Sequence, residues 1–312
     1  MSAPGVTILM AVRNGAGALP AQLASFRAQQ GCDWRLIASD DGSADDSRAL
    51  LEDFARTAPA EVVSGPGRGF VANFLSLLAR PGLSGPVALA DQDDVWFPDK
   101  LARALAALAE VPAGQPALYC SRRINWWPAA EPEAGEGRRR LSRAYPGPYG
   151  FANALVENVA PGNTIVLNAA ALDLARETAE AAAEVPFHDW WLYLLISGAG
   201  GRVIHDPRPG LLYRQHGGNV LGQGEGFRAA VAVRRGVMRG TYGRRIGQNL
   251  TALTQIEARL TPENRRRLAD FIAARQAGLP ERLALMRRAG VYRQGGWRAA
   301  ASFWGAVCLG RV

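Results

Sequence analysis

The chain has 312 residues, 48% of them apolar, with 36 Lys plus Arg against 28 Asp plus Glu and a net charge of +8. That length suits one large domain or a domain with an appendage, and the apolar share is that of a globular chain with a sizeable core. No uninterrupted apolar run approaches about 18 residues, which excludes a transmembrane helix, and the first residues lack the charged and apolar regions of a signal peptide. The three cysteines, Cys32, Cys120 and Cys308, match no metal or disulfide spacing, so a reducing, cytoplasmic setting is expected. The charge is uneven: 17 arginines and five acids fall from residue 225 onward, a net +12, which leaves −4 before it. This predicts an acidic catalytic body over residues 1–224 and a basic helical extension over 225–312 that meets an anionic surface, with membrane phospholipid ahead of nucleic acid.

Residues 6–12 read as a buried strand, 13–15 as a turn, and 19–30 as a helix with Leu19, Leu23 and Phe26 at helical spacing and Gly31 as its stop. Residues 34–38 form a second strand that runs into Ser39-Asp40-Asp41-Gly42-Ser43, and a helix follows over about 45–57. A third strand at 61–63 leads through Gly65-Pro66-Gly67-Arg68-Gly69 to a helix at 70–78. The apolar run 86–89 is a strand that delivers Ala90-Asp91-Gln92-Asp93-Asp94-Val95-Trp96. This alternation argues for an α/β fold with a doubly wound, mostly parallel sheet. Further on, the pattern gives a helix at 100–109, a strand at 116–120, a mobile loop at 128–150, a strand at 165–167 and a helix at 169–183. Pro186-Phe187-His188-Asp189-Trp190-Trp191 starts a helix that runs to about 197. A strand at 202–204, a turn at 207–210 and a strand at 211–214 end at Gln215-His216-Gly217-Gly218-Asn219. Helices at 227–239, 244–260, 262–277, 280–289 and 297–309 complete the chain. In the last of them Trp297, Ala300, Ala301, Trp304, Val307 and Cys308 share one apolar face, flanked by Arg293, Arg298 and Arg311. Such a face suits an interfacial membrane helix or a helix docked on the protein's own core.

The chemistry concentrates at strand ends. Asp91, Asp93 and Asp94 crowd three carboxylates into four residues, where like charges repel unless a cation or several donors neutralise them. Mg²⁺ or Mn²⁺ is the natural counter-charge, and it would in turn hold a diphosphate. A helix-capping turn is the plainer reading. Asp40 and Asp41 are placed either to bond a nucleoside or to cap the next helix. Their convergence with Asp91 on one crevice favours the nucleoside. The Gly65–Gly69 loop lacks the spacing of a dinucleotide fingerprint, and no Walker sequence is present, which excludes those two classes. Arg68 is placed near a phosphate or in a simple turn. Asp189 beside two tryptophans suits a general base next to a sugar-binding wall, or a helix cap beside core aromatics. His216 suits a carboxylate metal site or a structural turn.

These segments, in this order, resemble the family-two glycosyltransferases, which are inverting, metal-dependent enzymes of the GT-A fold. Residues 6–15, 39–43, 65–74 and 90–96 match that family's opening strand, nucleotide loop, Gly-Pro loop and D-x-D site. The His-Asp-Trp-Trp and Tyr-Arg-Gln-His segments resemble its bacterial rhamnosyltransferase-like branch, and the similarity covers residues 5–222. The resemblance implies that Asp40, Asp41, Asp91, Arg68 and Asn73 bind the nucleotide. It implies Asp93 as a metal ligand, with His216 and Asp94, and Asp189 as the base that deprotonates the acceptor hydroxyl. Trp190, Trp191, Asn163 and Thr164 would line the acceptor. The implied reaction moves a hexose, with L-rhamnose from dTDP-L-rhamnose the first choice, to a glycan or polyprenyl-linked glycolipid in cell-surface polysaccharide synthesis. The cofactor would be Mn²⁺ or Mg²⁺, the location cytoplasmic or peripheral on the inner face of the plasma membrane, and no nucleic acid would be involved. Two other readings stand beside it: a sugar-1-phosphate nucleotidyltransferase, whose N-terminal loop Arg13–Gly17 is too short to supply, and a non-enzymatic basic scaffold at a membrane surface.

Overall fold

The computed structural model describes residues 5–129, 137–216 and 240–312. They form two compact units. The first takes the described residues of 5–144, 160–179 and 201–216, and the second those of 145–159, 180–200 and 240–312. This division differs from a single cut at residue 224, and the helix His188–Gly198 supplies the reason. Every residue in it except Asp189 is buried, so it needs cover on all sides. Within the second unit the C-terminal helices provide part of that cover. A Cβ on Gly198 would lie 2.7 Å from Leu260 Cδ2, and Asn264 Nδ2 donates to the Ser197 and Gly198 carbonyls at 3.1 and 3.0 Å.

The first unit holds the whole sheet. Its strands are β1 (Val6–Val12), β2 (Trp34–Asp40), β3 (Ala60–Ser64), β4 (Val87–Ala90), β5 (Val95–Trp96), β6 (Ala117–Trp127), β7 (Arg138–Leu141), β8 (Val166–Leu167) and β9 (Arg202–Arg214). Helices α1 (Leu19–Arg27), α2 (Ser47–Ala55), α3 (Phe70–Leu78) and α4 (Lys100–Ala109) connect the early strands. The order is β3-β2-β1-β4-β8-β6-β9-β5, with β7 on β6. The four strands β3, β2, β1 and β4 are parallel. Antiparallel β8 then turns the sheet, and β6 and β9 pair in parallel beyond it. The buried faces of β1, β2 and β4, with Leu19, Leu23 and Phe26 of α1, form the core. Their near-continuous apolar sequence is what a parallel strand covered on both faces requires.

The sequence expectation holds closely for β1, α3 and α4 and departs from the structure further on. β6 runs seven residues past the expected end at Cys120, because Ser121, Arg123 and Asn125 are buried polar residues in a strand pattern. The expected loop at 128–150 contains β7, and its residues 130–136 lie outside the described residues. The expected turn at 207–210 is instead the middle of the single strand β9. Between the pairs Ser121↔Asp206 and Arg122↔Pro209 the register slips. That bulge accommodates Pro207 and Pro209, which have no N–H to give a ladder. The helix expected at 169–183 stops at Glu177, and Ala181–Glu184 forms a separate 3-10 turn. The helix expected at 227–239 and the glycines at 217–218 lie outside the described residues.

Four long helices end the second unit: Thr241–Gln255, Pro262–Gln276, Leu279–Ala289 and Gly296–Cys308. In the last, Phe303, Ala306 and Val307 face inward. The apolar face expected from the sequence is therefore split, with Val307 buried and Trp297 75% exposed. No helix among the described residues is long and apolar enough to cross a membrane.

Candidate active site

The carboxyl ends of β3, β2, β1 and β4 lie side by side, and side chains bond them laterally into one rim. Gln92, just after β4, accepts the Arg13 N–H on its Oε1 at 2.7 Å and donates its Nε2 to the Arg13 carbonyl at 3.1 Å. That fit needs a bare backbone nearby, since a Cβ on Gly15 would lie 2.6 Å from Gln92 Cδ. The loop after β1 is bonded in turn to the loop after β2. Asn14 N–H donates to Ser43 Oγ, Gly15 N–H to Ser47 Oγ and Ala16 N–H to Asp45, while Asn14 Oδ1 accepts from Ala44. Asn14 does this in the left-handed region, at φ 50°, which asparagine tolerates better than most residues.

Asp40 and Asp41 close β2. Asp40 Oδ1 accepts from the Ser43 N–H and hydroxyl. Asp41, 3% exposed, spends both oxygens on the Gly-Pro loop after β3, accepting the Gly67 and Gly69 N–H groups at 2.7 and 2.8 Å. Gly67 and Gly69 have φ +69° and +89°, a conformation that turns both amides toward the carboxylate and suits glycine. Asn73 is buried and bonds Ser39 twice, accepting from its hydroxyl and donating to its carbonyl. It fastens α3 to β2, and in this arrangement its amide is used by the fold. Arg68 is exposed at the tip of the loop.

The acidic turn after β4 is built differently. Asp91 and Asp93 are half-buried, and Asp94 is fully buried. Asp94 Oδ2 accepts from Asn163 Nδ2 at 2.7 Å, and Arg123 Nη1 reaches Asn163 Oδ1 at 3.4 Å. Burial holds the Asp94 carboxyl well above the usual carboxylate range, and the negative charges of Asp91 and Asp93 push it further. Lys100, the first residue of α4, is buried beside it, with Nζ 3.3 Å from the Trp96 ring centroid. Burial pushes the Lys100 ammonium down to about 7, against the opposing pull of Asp94. Asp94 Oδ1, Lys100 Nζ, Trp96 Nε1 and both amide atoms of Gln22 are buried with no hydrogen-bond partner. Buried polar atoms are ordinarily satisfied, so this group stands apart from the well-bonded rim.

Asp93 meets the far end of β9. His216 Nε2 lies 2.5 Å from Asp93 Oδ2. Arg214 Nε donates to the Asp93 carbonyl at 3.0 Å while its guanidinium lies 4.5 Å over the Trp126 ring. Burial raises the Tyr213 hydroxyl pKa; Arg123, 3.9 Å over its ring, opposes the rise and Asp91, Asp94 and Asp93 add to it. Among the described residues no group of three or more His, Cys, Asp or Glu side chains is arranged to hold a metal ion. Asp93 with His216 is a pair, and a pair completed by phosphate oxygens and water is a common way to hold Mg²⁺ or Mn²⁺.

Asp189, Trp190 and Trp191 belong to the second unit. Asp189 sits in the first turn of its helix, and its Oδ1 accepts the Trp190 N–H at 2.7 Å. Trp190 and Trp191 are 6% and 1% exposed, and Trp190 Nε1 donates to the Ala154 carbonyl. The two indoles are core, so the sugar-facing wall expected from the sequence is not formed by them. Asn163 and Thr164, expected to line the acceptor, are also buried; Asn163 braces Asp94 and Thr164 bonds the Pro161 carbonyl. Sequence reading missed Gln92, Lys100 and Arg214. Lys100 carried a signal, since it follows Asp94 across the short Val95–Trp96 strand at the start of an apolar helix, where a lysine is usually exposed.

The model of glycosyl transferase family 2 matches residues 7–155. The dTDP-rhamnosyl transferase RfbG of Shigella flexneri is 28% identical over 246 residues, 76% of this chain and 81% of that one. The crystal structure of S. aureus TarS 1–349 superposes with a TM-score of 0.51 at 11% identity, over 91% of this chain and 88% of that one. The same protein in complex with UDP-GlcNAc gives 0.50 over 91% and 89%. At those identities the structural likeness speaks for the fold. The family match begins on β1 and spans both acidic strand ends, so residues 7–155 are similar to the glycosyl transferase family 2 domain, and the mixed α/β fold with its mostly parallel sheet is that of the GT-A glycosyltransferases.

Proposed function

We propose that the protein transfers L-rhamnose from dTDP-L-rhamnose, with inversion, to a hydroxyl of a glycan or polyprenyl-linked glycolipid during cell-surface polysaccharide synthesis in the cytoplasm. The observation that carries this reading is the acidic turn after β4. Three carboxylates meet there, and the His216 imidazole lies against one of them, Asp93. The rhamnosyl transferase relative supports the choice of donor.

A divalent cation fits the Asp93 and His216 donor set, with Asp94 behind it. When bound, it would supply positive charge to the diphosphate leaving group. The chain's own residues do the rest. Asp40 and Asp91 stand at the ends of β2 and β4, on either side of β1, to bond the nucleoside, and Arg68 on its exposed loop is placed to meet a phosphate. Asp41 and Asn73 act at one remove, holding that loop and α3 in place. Asp189 would hold the proton of the attacking acceptor hydroxyl, the step that an inverting transfer assigns to one base.

A donor screen tests the reading. Purified protein with Mn²⁺ or Mg²⁺ is offered dTDP-rhamnose, UDP-galactose, UDP-glucose or UDP-galactofuranose, and nucleoside diphosphate release is measured. Release of dTDP that depends on added divalent ion is expected. Release of pyrophosphate from a nucleoside triphosphate would identify a nucleotidyltransferase instead, and turnover undiminished by chelator would refute the metal assignment.

A further inference from the structure

The final helix, Gly296–Cys308, has apolar residues on the side that the protein does not cover. Its inner side is Phe303, Ala306 and Val307. On the outer side Trp297, Ala301, Gly305 and Cys308 follow at steps of four, four and three, which places them on one face. All four are exposed, as is Leu309 just beyond, and Trp297 and Leu309 are 75% and 65% exposed. Leu279, at the start of the preceding helix, is 46% exposed. Arg282, three residues on, bonds the Val307 carbonyl and so links that start to the end of the last helix.

The charge around this face has one sign. Residues 282–312 hold six arginines and no acidic residue. Nearby acids on the Pro262–Gln276 helix are already paired, Glu263 with Arg267 and Asp270 with Arg288. Arg287, Arg298 and Arg311 are exposed and make no ion pair among the described residues. Arg298 lies 5.3 Å from the Trp297 ring centroid. A 13-residue helix is about 20 Å long, too short to span a bilayer.

We infer that the outer face of Gly296–Cys308 docks in the plane of an anionic phospholipid bilayer, with Trp297 and Leu309 entering the interface and Arg298 and Arg311 contacting headgroup phosphates. Tryptophan at headgroup depth and arginine toward anionic lipid are the two anchors that interfacial helices use. A second copy of the chain is a poorer occupant, because apposing two such faces would bring their arginines together. Nucleic acid would leave the apolar stripe in water.

Co-sedimentation of the full-length protein with vesicles tests this without reference to catalysis. Vesicles of phosphatidylcholine containing phosphatidylglycerol are compared with phosphatidylcholine alone, at low and high salt. We expect binding to the anionic vesicles, at least about tenfold weaker binding to the neutral ones, and weakening by salt. The paired change Trp297→Ser with Leu309→Ser should reduce binding about tenfold with no change in melting temperature, since both side chains are exposed. Arg298→Gln with Arg311→Gln should remove the preference for anionic lipid. Deleting the helix is a weaker test, because Phe303, Val307 and Val312 are core and Arg275 bonds the Val312 carbonyl. Wild-type protein that ignores anionic vesicles would overturn the inference. So would a serine variant that binds as the wild type does, or a dimer in solution that the same variants dissociate.

Discussion

Asp41 and Asp94 follow β2 and β4, two strands of one rim with β1 between them, and have opposite surroundings. Asp41 has both oxygens filled by backbone N–H groups of the Gly-Pro loop. Asp94 has one oxygen on Asn163, the other unbonded, and two more carboxylates beside it. Where the chain satisfies its own carboxylate, that carboxylate is a strut. Where it gathers carboxylates and leaves the charge unbalanced, the balance has to come from elsewhere: in part from buried Lys100, and in the proposed reaction from a cation. A residue type alone does not distinguish these cases, and neither does proximity to a strand end.

The contrast can be broken by substitution, and the largest effect should fall on the cation side. Asp93→Ala is expected to lower turnover by at least about 10³-fold, read as nucleoside diphosphate release, with the melting temperature within a few degrees of wild type. Full activity in that variant would mean the acidic turn is only structural. Lys100→Met should come next, as a loss of about 1–2 kcal/mol of stability, because burial holds both Asp94 and Lys100 toward their neutral forms and the substitution removes a polar neighbour of Asp94 without breaking a full ion pair. Combining it with Asp94→Asn should recover part of that loss in chemical denaturation. The pH dependence sharpens the point. A carboxyl whose folded pKa is raised favours the folded state at low pH, and that contribution is lost as pH rises toward the folded value. Lys100→Met should therefore lose stability more steeply than wild type as pH is raised from about 4 to 7. An unchanged slope would show that the lysine does not act on Asp94.

Asp189→Asn is expected to reduce turnover by about 10²-fold with little change in donor affinity. A fall in affinity with turnover preserved would make it a binding residue. The smallest effect should be on the strut. Asp41→Asn keeps one acceptor but sets an amide N–H₂ against a backbone N–H, which should cost about 1–2 kcal/mol and raise the donor KM more than it lowers kcat. If Asp41→Asn stops turnover and leaves the melting temperature alone, the two carboxylates are not different in kind.

Much of this arrangement was legible in the sequence, for a physical reason. The parallel strands β1, β2 and β4 are apolar runs between glycines and acids, and a strand covered on both faces has little other way to be written. The acidic strand ends were legible too, because Asp40–Asp41 and Asp91–Asp94 interrupt those runs abruptly. What could not be read was which polar groups turn inward. Arg123, Asn125 and Asn163 look like loop residues and are buried, and the two prolines of β9 look like a turn and sit at a bulge. Those outcomes depend on partners 40 to 90 residues away, which local pattern does not carry. Trp190 and Trp191 failed the other way: aromatics beside an acid resemble a sugar site, but a helix covered on all sides takes both rings into its core.

Gln92 stands among the three carboxylates with its side chain addressed to a peptide group. Its amide offers a donor and an acceptor in register with the Arg13 carbonyl and N–H. Glutamate would set a second acceptor against that carbonyl, and asparagine is one methylene too short to reach both groups from the same backbone. The four letters Asp-Gln-Asp-Asp thus interleave two instructions, three about charge and one about grammar. A redesign for another cation or another sugar nucleotide is free to vary the charged letters. The glutamine, together with the bare backbone of Gly15 that gives it room, has no synonym.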